Sequence, residues 1–249
     1  MALLVAYDGT DFHGFARQPS RRTVQGVLEE ALSQLLRTPV RTTGAGRTDA
    51  GVHAAGQVVS FEAPDGTDPA WVAARLNKRL GPEVSIRGAA AVPESFDARF
   101  GAKRREYEYH LYRTPAPDPF LHRFAVHLPG ELDLAAMRSA AKAFVGEHDF
   151  TSFCRRGEGS LVRRVRSITF STPASGRLVV RVVADSFCHQ MVRSLVGLLL
   201  EIGRGKRPPG DAKKALAARD RASAGSVAPA KGLVLRSVAY PRAPWGRSG

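Results

Sequence analysis

The sequence predicts an α+β fold: two similar lobes of mainly antiparallel sheet flanked by helices, with a basic cleft between them. Three observations lead there. Apolar runs of strand length and helical i, i+3, i+4 patterns follow one another without strict β-α alternation, which argues against an all-parallel doubly wound sheet. The stretch 114–119 carries three prolines in six residues and marks a boundary, giving an amino-terminal lobe over 1–113 and a carboxy-terminal lobe over 114–249. A chain of 249 residues is long enough for two modest lobes with their own cores.

Residues 2–7 read as a buried strand closed by the turn signal Asp8-Gly9-Thr10. A helix follows from Thr23, its cap by residue type, with Val24, Val27, Leu28, Ala31, Leu32, Leu35 and Leu36 on one face. Residues 57–62 form a strand, and Asp68-Pro69 opens a helix that stops before Gly81-Pro82. Strands are predicted at 84–92 and 105–112. Asp133 caps a helix with Leu134, Met137, Ala141 and Phe144 on one side. Strands at 162–172 and 178–184, an apolar helix over 189–202, a short basic helix at 211–219 and a strand at 232–240 complete the list.

Lys and Arg number 37 against 23 Asp and Glu, a formal charge of +14. Thirty of the cations are Arg and seven Lys, a bias that suits bidentate phosphate recognition. Codon usage can produce the same Arg/Lys ratio, but it leaves the net charge unexplained, and that excess points to a polyanionic partner. Two basic clusters stand out: Arg155, Arg156, Arg163, Arg164 and Arg166, then Arg204, Lys206, Arg207, Lys213 and Lys214. Such runs are commonly solvated charge; here they tilt the reading toward nucleic acid. Cys154 and Cys188 fall in no C-x-x-C arrangement, so the spacing supports neither a disulfide framework nor a zinc ribbon, and a reducing cytoplasm fits. The run 195–200 is far below the ~20 apolar residues of a membrane span, and the amino-terminal apolar run ends at Asp8 without the features of a signal peptide.

The segment Gly44-Ala45-Gly46-Arg47-Thr48-Asp49-Ala50-Gly51-Val52-His53 is the densest. A dinucleotide fingerprint would need Gly at Asp49, and a Walker loop would need Lys at Val52, so both phosphate-loop readings fail. What remains is a tight turn presenting Arg47 and Asp49, or a purely structural Asx turn. Arg193 lies near the start of an otherwise apolar helix, where a guanidinium needs an anionic partner or a path to solvent. His189 and Gly197 extend a narrow polar or small stripe along which a partner can approach. Tyr107, behind Lys103-Arg104-Arg105, is suited to stack on a nucleobase, or simply to pack in the core. The histidines match no metal spacing, and no nucleophile elbow is present. Asp49 is therefore the leading candidate for chemistry.

These residues also carry a resemblance. Gly44 to Phe61 resembles the central motif of the TruA family of tRNA pseudouridine synthases. Tyr7-Asp8-Gly9-Thr10, Phe12-His13-Gly14-Phe15 and Thr23-Val24-Gln25-Gly26 look like its first signatures, and Phe96 to Phe100 with Tyr107-Glu108-Tyr109 like its middle block. Gly146 to Phe153, Phe187 to Arg193 and Ala228 to Leu233 are similar to the later ones. One departure is that this chain has Ala16 where the family usually places glutamine.

The resemblance implies the pseudouridine synthase fold and conversion of uridine to pseudouridine at tRNA positions 38, 39 and 40, in the anticodon stem-loop, by a homodimer without metal or cofactor. It implies Asp49 as the catalytic nucleophile, Arg193 as its ionic partner, Arg47 as the residue associated with flipping the nucleotide, and Tyr107 as the substrate-binding ring. A carboxylate can attack the sugar, attack the pyrimidine, or take up a proton during glycal formation. Two other classes stay open at this point: a non-catalytic RNA-binding or RNA-chaperone protein of the same fold, and, less favoured by the residues, a phosphate-ester enzyme built on the glycine loop.

Overall fold

The chain folds into two units in the computed structural model, which describes residues 1–155, 159–174 and 176–245; residues 1–104 with the segment from Leu235 form one, and Arg105–Val234 the other. In the first unit β1 (Ala2–Tyr7) leads by way of Thr23 into α1 (Val24–Leu36), where the Thr23 hydroxyl accepts the Gly26 amide at 3.2 Å. The chain then forms β2 (Thr42–Gly44), β3 (His53–Phe61), α2 (Pro69–Leu80) and β4 (Val84–Ala90). β1 is central because its residues are apolar on both faces: Leu3 is antiparallel to Val59 of β3 on one side and to Ala89 of β4 on the other. Asp68 caps α2 by accepting the amides of Ala70 and Trp71, with Pro69 at the first helical position, as its sequence predicts.

The second unit contains β5 (Arg104–Tyr112) from Arg105 on, the short β6 (Val126–His127), α3 (Leu134–Ala141), β7 (Gly146–Asp149), β8 (Val162–Ser171), β9 (Arg177–Ala184), α4 (Met191–Gly203) and α5 (Asp211–Ala218). Its strands run in the order β5-β9-β8-β7 with antiparallel pairs, and β6 adds parallel to β5. Apart from Arg193 and Glu201, every residue of α4 is buried, as an all-round apolar helix must be. α3 packs against it, with Met137 over Gly203. The last strand, β10 (Leu233–Ala239), lies beside β3 and belongs to the first unit from Leu235 on. No helix of the described residues is long and apolar enough to cross a membrane.

The units divide at 104/105 and 234/235, not at 113/114. Pairing decides this. Residues 105–112 are bound to β9 along their whole length, from Arg105 opposite Ala184 to Tyr112 opposite Arg177. Gly56 lets β10 return to β3, since a Cβ there would stand 2.4 Å from the Arg236 carbonyl oxygen. The prolines of 114–119 mark an internal loop instead, closed by the Thr114 hydroxyl on the Ala116 carbonyl and by the Asp118 amide on the Tyr112 hydroxyl.

The cysteines correct a second expectation. Cys154 and Cys188 form a disulfide with Cα atoms 5.7 Å apart. They flank the β8-β9 hairpin, whose antiparallel return brings the residues before and after it together, and the Arg155 amide donates to the His189 carbonyl beside them. Spacing along the chain could not show this because the hairpin lies between them.

Four residues of the two basic clusters have carboxylate partners within the chain. Arg164 faces Glu147 across the β7-β8 pair, Arg166 meets Asp185, and Arg207 and Lys214 meet Asp211. Arg156 lies outside the described residues.

One buried carboxylate ties α1 to β2. Glu29, with 3% of its side chain exposed, accepts from the Thr42 amide and hydroxyl, Arg17, Arg41 and Gln25. Burial alone would raise its pKa, but these donors outweigh it and hold the carboxyl below the ordinary glutamate value. A depressed folded-state pKa stabilises the protein above the unfolded value, and that contribution is lost as pH falls through the folded one. Glu29→Gln should therefore cost about 2–3 kcal/mol at pH 7. In urea unfolding followed from pH 7 down to pH 3, the gap between the variant and its parent should narrow with acidification.

Candidate active site

Asp49 sits in the turn between β2 and β3, and the sequence folds that turn by burying polar groups around it. Gln57, fully buried in β3, takes the Gly46 amide on its side-chain oxygen at 3.3 Å and donates to the Gly46 carbonyl at 2.7 Å. The Tyr7 hydroxyl meets the Thr48 hydroxyl at 2.8 Å. Burial pushes the Tyr7 phenol up to about 12, against the opposing hydrogen bonds with Thr48 and Gln57, so it stays neutral at physiological pH. Amides from the neighbouring turn complete the frame: Phe15 donates to the Thr48 carbonyl, Gly51 to Phe12, and Ala45 to Val58.

Gly14 explains how the 12–15 segment comes so close. Its φ is +94°, and a Cβ there would stand 2.9 Å from the Thr48 oxygen and 3.4 Å from the Asp49 carbonyl carbon. Within this frame Thr48 points inward and is buried, Asp49 is half-buried, and Arg47 and Ala50 are exposed. The turn thus presents a carboxylate and a guanidinium two residues apart, with its backbone fixed from behind.

Tyr107 and Arg193 belong to the second unit. Tyr107 is buried on β5 and meets the Phe187 ring edge-on, with centroids 5.1 Å apart. Arg193, in the first turn of α4, is half-buried; its Nε donates to the Ala228 carbonyl at 2.8 Å while the Ala228 amide donates to the Arg193 carbonyl at 3.1 Å. The stripe through Gly197 does admit a close approach, and what occupies it is the chain's own backbone: a Cβ at Gly197 would lie 1.9 Å from the Ser226 oxygen. The strap continues past Pro229, whose carbonyl accepts from the Tyr109 hydroxyl at 2.8 Å. Burial raises the Tyr109 pKa, opposed by the positive charge of Arg193, which places that guanidinium within electrostatic reach of β5.

Arg47 and Asp49 are therefore together in one turn of the first unit, and Tyr107 and Arg193 are positioned in the second by β5, α4 and the strap. Tyr7, Gln57 and Gly14 are supporting residues that stand inside the quoted motifs but to which the sequence assigns no role. Gln57 offered a signal, being an amide inside the apolar strand that it opens. Among the described residues no His, Cys, Asp and Glu group is arranged to hold a metal ion.

The comparisons with known proteins bear on what this arrangement is for. A family model described as tRNA pseudouridine synthase matches residues 3–101 and 140–241, covering parts of both units. The chain belongs to that family. A relative from Frankia casuarinae, described as tRNA pseudouridine synthase A, is 47% identical over 98% of this chain and 90% of its own length. Proteins of the same description from Bacillus licheniformis and Leifsonia xyli subsp. xyli are 42% and 43% identical, over 96% and 95% of this chain and 98% and 90% of their own lengths. The Asp49 turn, the Tyr107 strand and the Arg193 helix all lie within these matches or beside them, with Tyr107 in the interval between the two matched segments of the family model.

The turn's dependence on Gly14 is open to a direct measurement. Gly14→Ala should destabilise the protein by about 1–3 kcal/mol, because the residue is held at positive φ with backbone atoms against the new methyl. At a temperature where the variant is fully folded, its pseudouridine-forming rate should still fall at least tenfold. A normal rate would show that the Asp49 turn tolerates displacement.

Proposed function

We propose that this protein is a cytoplasmic homodimer that isomerises uridine to pseudouridine at positions 38, 39 and 40 in the anticodon stem-loop of tRNA, with Asp49 as nucleophile. The observation that carries the reading is a carboxylate held in a turn braced by Tyr7, Gln57 and Gly14, inside a chain that matches the synthase family in both units. The homodimer and the three tRNA positions rest on the motif resemblance, and the cytoplasmic setting on the ordinary soluble composition and the lack of a membrane-spanning run among the described residues.

The reaction breaks the bond between uracil N1 and ribose C1′, turns the base, and joins C5 to C1′. C5 loses its proton and N1 gains one, so atoms and electrons balance without an oxidant or reductant. Asp49 supplies the carboxylate nucleophile. The motif resemblance assigns Arg193 as the ionic partner of that carboxylate, and its guanidinium is oriented through Nε on the Ala228 carbonyl. Tyr107, fixed edge-on by Phe187, offers its ring to the uracil and keeps water from the detached base. Exposed Arg47, two residues before the nucleophile, meets the RNA as the target nucleotide leaves its stack.

Release of tritium from tRNA labelled at uracil C5 tests the assignment. Asp49→Ala should lower release by at least about 10³-fold, the scale seen when a nucleophile is removed, while tRNA affinity stays within about threefold of the parent. Equal release would remove Asp49 from the chemistry, and a parent protein inactive on every tRNA would favour a binding protein. Arg193→Lys should slow release by about tenfold or more, because an ammonium on a flexible stem does not reproduce a planar two-point pair; a parental rate would dismiss that pairing.

A further inference from the structure

Within the two basic clusters only part of the charge is neutralised by the chain itself, Arg155, Arg163, Arg204, Lys206 and Lys213 being in no ion pair among the described residues; a separate set of unneutralised cations lies in the first unit. Arg164, Arg166, Arg207 and Lys214 all have carboxylate partners, and Arg163 donates to the carbonyls of Ser160 and Val162. In the first unit, by contrast, α1 and α2 pack together and leave an open groove of about 390 Å³ lined by Ala31, Gln34, Leu35, Leu76 and four cations, Arg37, Arg75, Lys78 and Arg79. All four cations are exposed, and no ion pair among the described residues includes any of them. No carboxylate lines the groove.

We infer that this groove binds the phosphate backbone of tRNA outside the anticodon stem-loop, a contact separate from the one made by the Asp49 turn. The inference rests on the tRNA reading above, which supplies the polyanion. Four converging cations without counter-ions suit phosphates of a single RNA strand or one edge of a stem. Trp71 lies one helical turn before Arg75, is 40% exposed, and has the Arg75 guanidinium 6.0 Å from its ring centre, pairing a flat platform with charge as single-stranded RNA sites do. Arg37 adopts φ 56° at the end of α1, a left-handed position that glycine usually fills, and there it lines the groove. Lys78 and Arg79 also suit the carboxy-terminal end of the α2 dipole, but Arg75 precedes that last turn and Arg37 belongs to the other helix.

The location separates this contact from the reacting nucleotide. The amino-terminal end of α1 is hydrogen-bonded to the 14–15 segment that backs the Asp49 turn, through Val24 on Gly14 and Gln25 on Phe15. Arg37 stands at the opposite end of this 13-residue helix, about 20 Å away at 1.5 Å per residue. Phosphates in the groove therefore belong to a different part of the RNA from the base at Asp49.

The test is equilibrium binding of full-length tRNA and of an isolated anticodon stem-loop across a salt series, using the full chain and a triple variant, Arg37→Gln with Arg75→Gln and Arg79→Gln. The variant should bind full-length tRNA at least tenfold more weakly at low salt, and its log-affinity against log-salt slope should be shallower by about 2, at ~0.7–0.9 per phosphate contact. Its affinity for the isolated stem-loop should change less than threefold. Trp71→Ala, measured separately, should weaken full-length tRNA binding about fivefold or more. An unchanged slope and affinity for full-length tRNA overturns the inference; so does an equal loss on both RNAs, which would put the groove on the stem-loop. A change in oligomeric mass with no change in slope also overturns it, by assigning the groove to a second copy of the chain. A parent that binds tRNA through the groove yet releases no tritium sustains the inference and retires the catalytic reading.

Discussion

Gln57 lies in the apolar interior of β3 and bonds both ends of its amide to Gly46, at the base of the turn that carries Asp49, its oxygen also taking the Val58 amide. A buried amide cannot leave its oxygen and nitrogen unsatisfied without a penalty of about 1–3 kcal/mol each, so the strand and the turn have to form together. Tyr7 imposes the same condition from β1 through Thr48, and Phe15 imposes it from the segment before α1 through the Thr48 carbonyl. Three separate parts of the first unit thus converge on the residues flanking Asp49. Asp49 itself is half-buried while its neighbours are fixed from within.

The arginines serve two different ends. Some satisfy carboxylates of the chain itself: Arg17 and Arg41 share Glu29, and Arg181 reaches Glu106 and Glu108 across the β5-β9 pair. These neutralise charge locally and, being partly exposed, add little stability each. The surplus that makes the net charge +14 is what an RNA can read. Net charge alone does not say which arginines those are, since the answer depends on which acids the fold brings beside them.

Much of the architecture was legible because it depends on neighbours along the chain. Asp68-Pro69 and Thr23 begin helices through local caps, and the apolar runs of β1 and α4 bury themselves by composition. β3 begins at His53, four residues before the apolar pattern suggests, because Ala54, Ala55 and Gly56 carry too little side chain to signal a strand. The division between units was misplaced because it follows strand partners rather than prolines, and the Cys154–Cys188 pair was hidden by the hairpin that creates it. At the site, Asp49, Arg47, Tyr107 and Arg193 drew attention as residues of unusual type for their surroundings. Tyr7 and Gly14 were visible only as members of the signature segments, without a role, since their work depends on Thr48, 41 residues away from Tyr7 in the chain.

The strap over α4 has a consequence for how the sequence can vary. Its grip on Arg193 is made by the main chain: the Ala228 carbonyl and amide hold the arginine, and the Ser226 carbonyl rests where Gly197 leaves room. Main-chain groups are the same for nearly every residue type, so the strap can exchange the side chain of Val227, between anchored Ser226 and buried Ala228, and still hold Arg193 in place. Length is another matter. One residue more or fewer between Ser226, anchored by Glu201, and Pro229, which receives Tyr109, would shift these carbonyls out of register. The residue at 227 should drift across lineages while the residue count of the segment stays fixed.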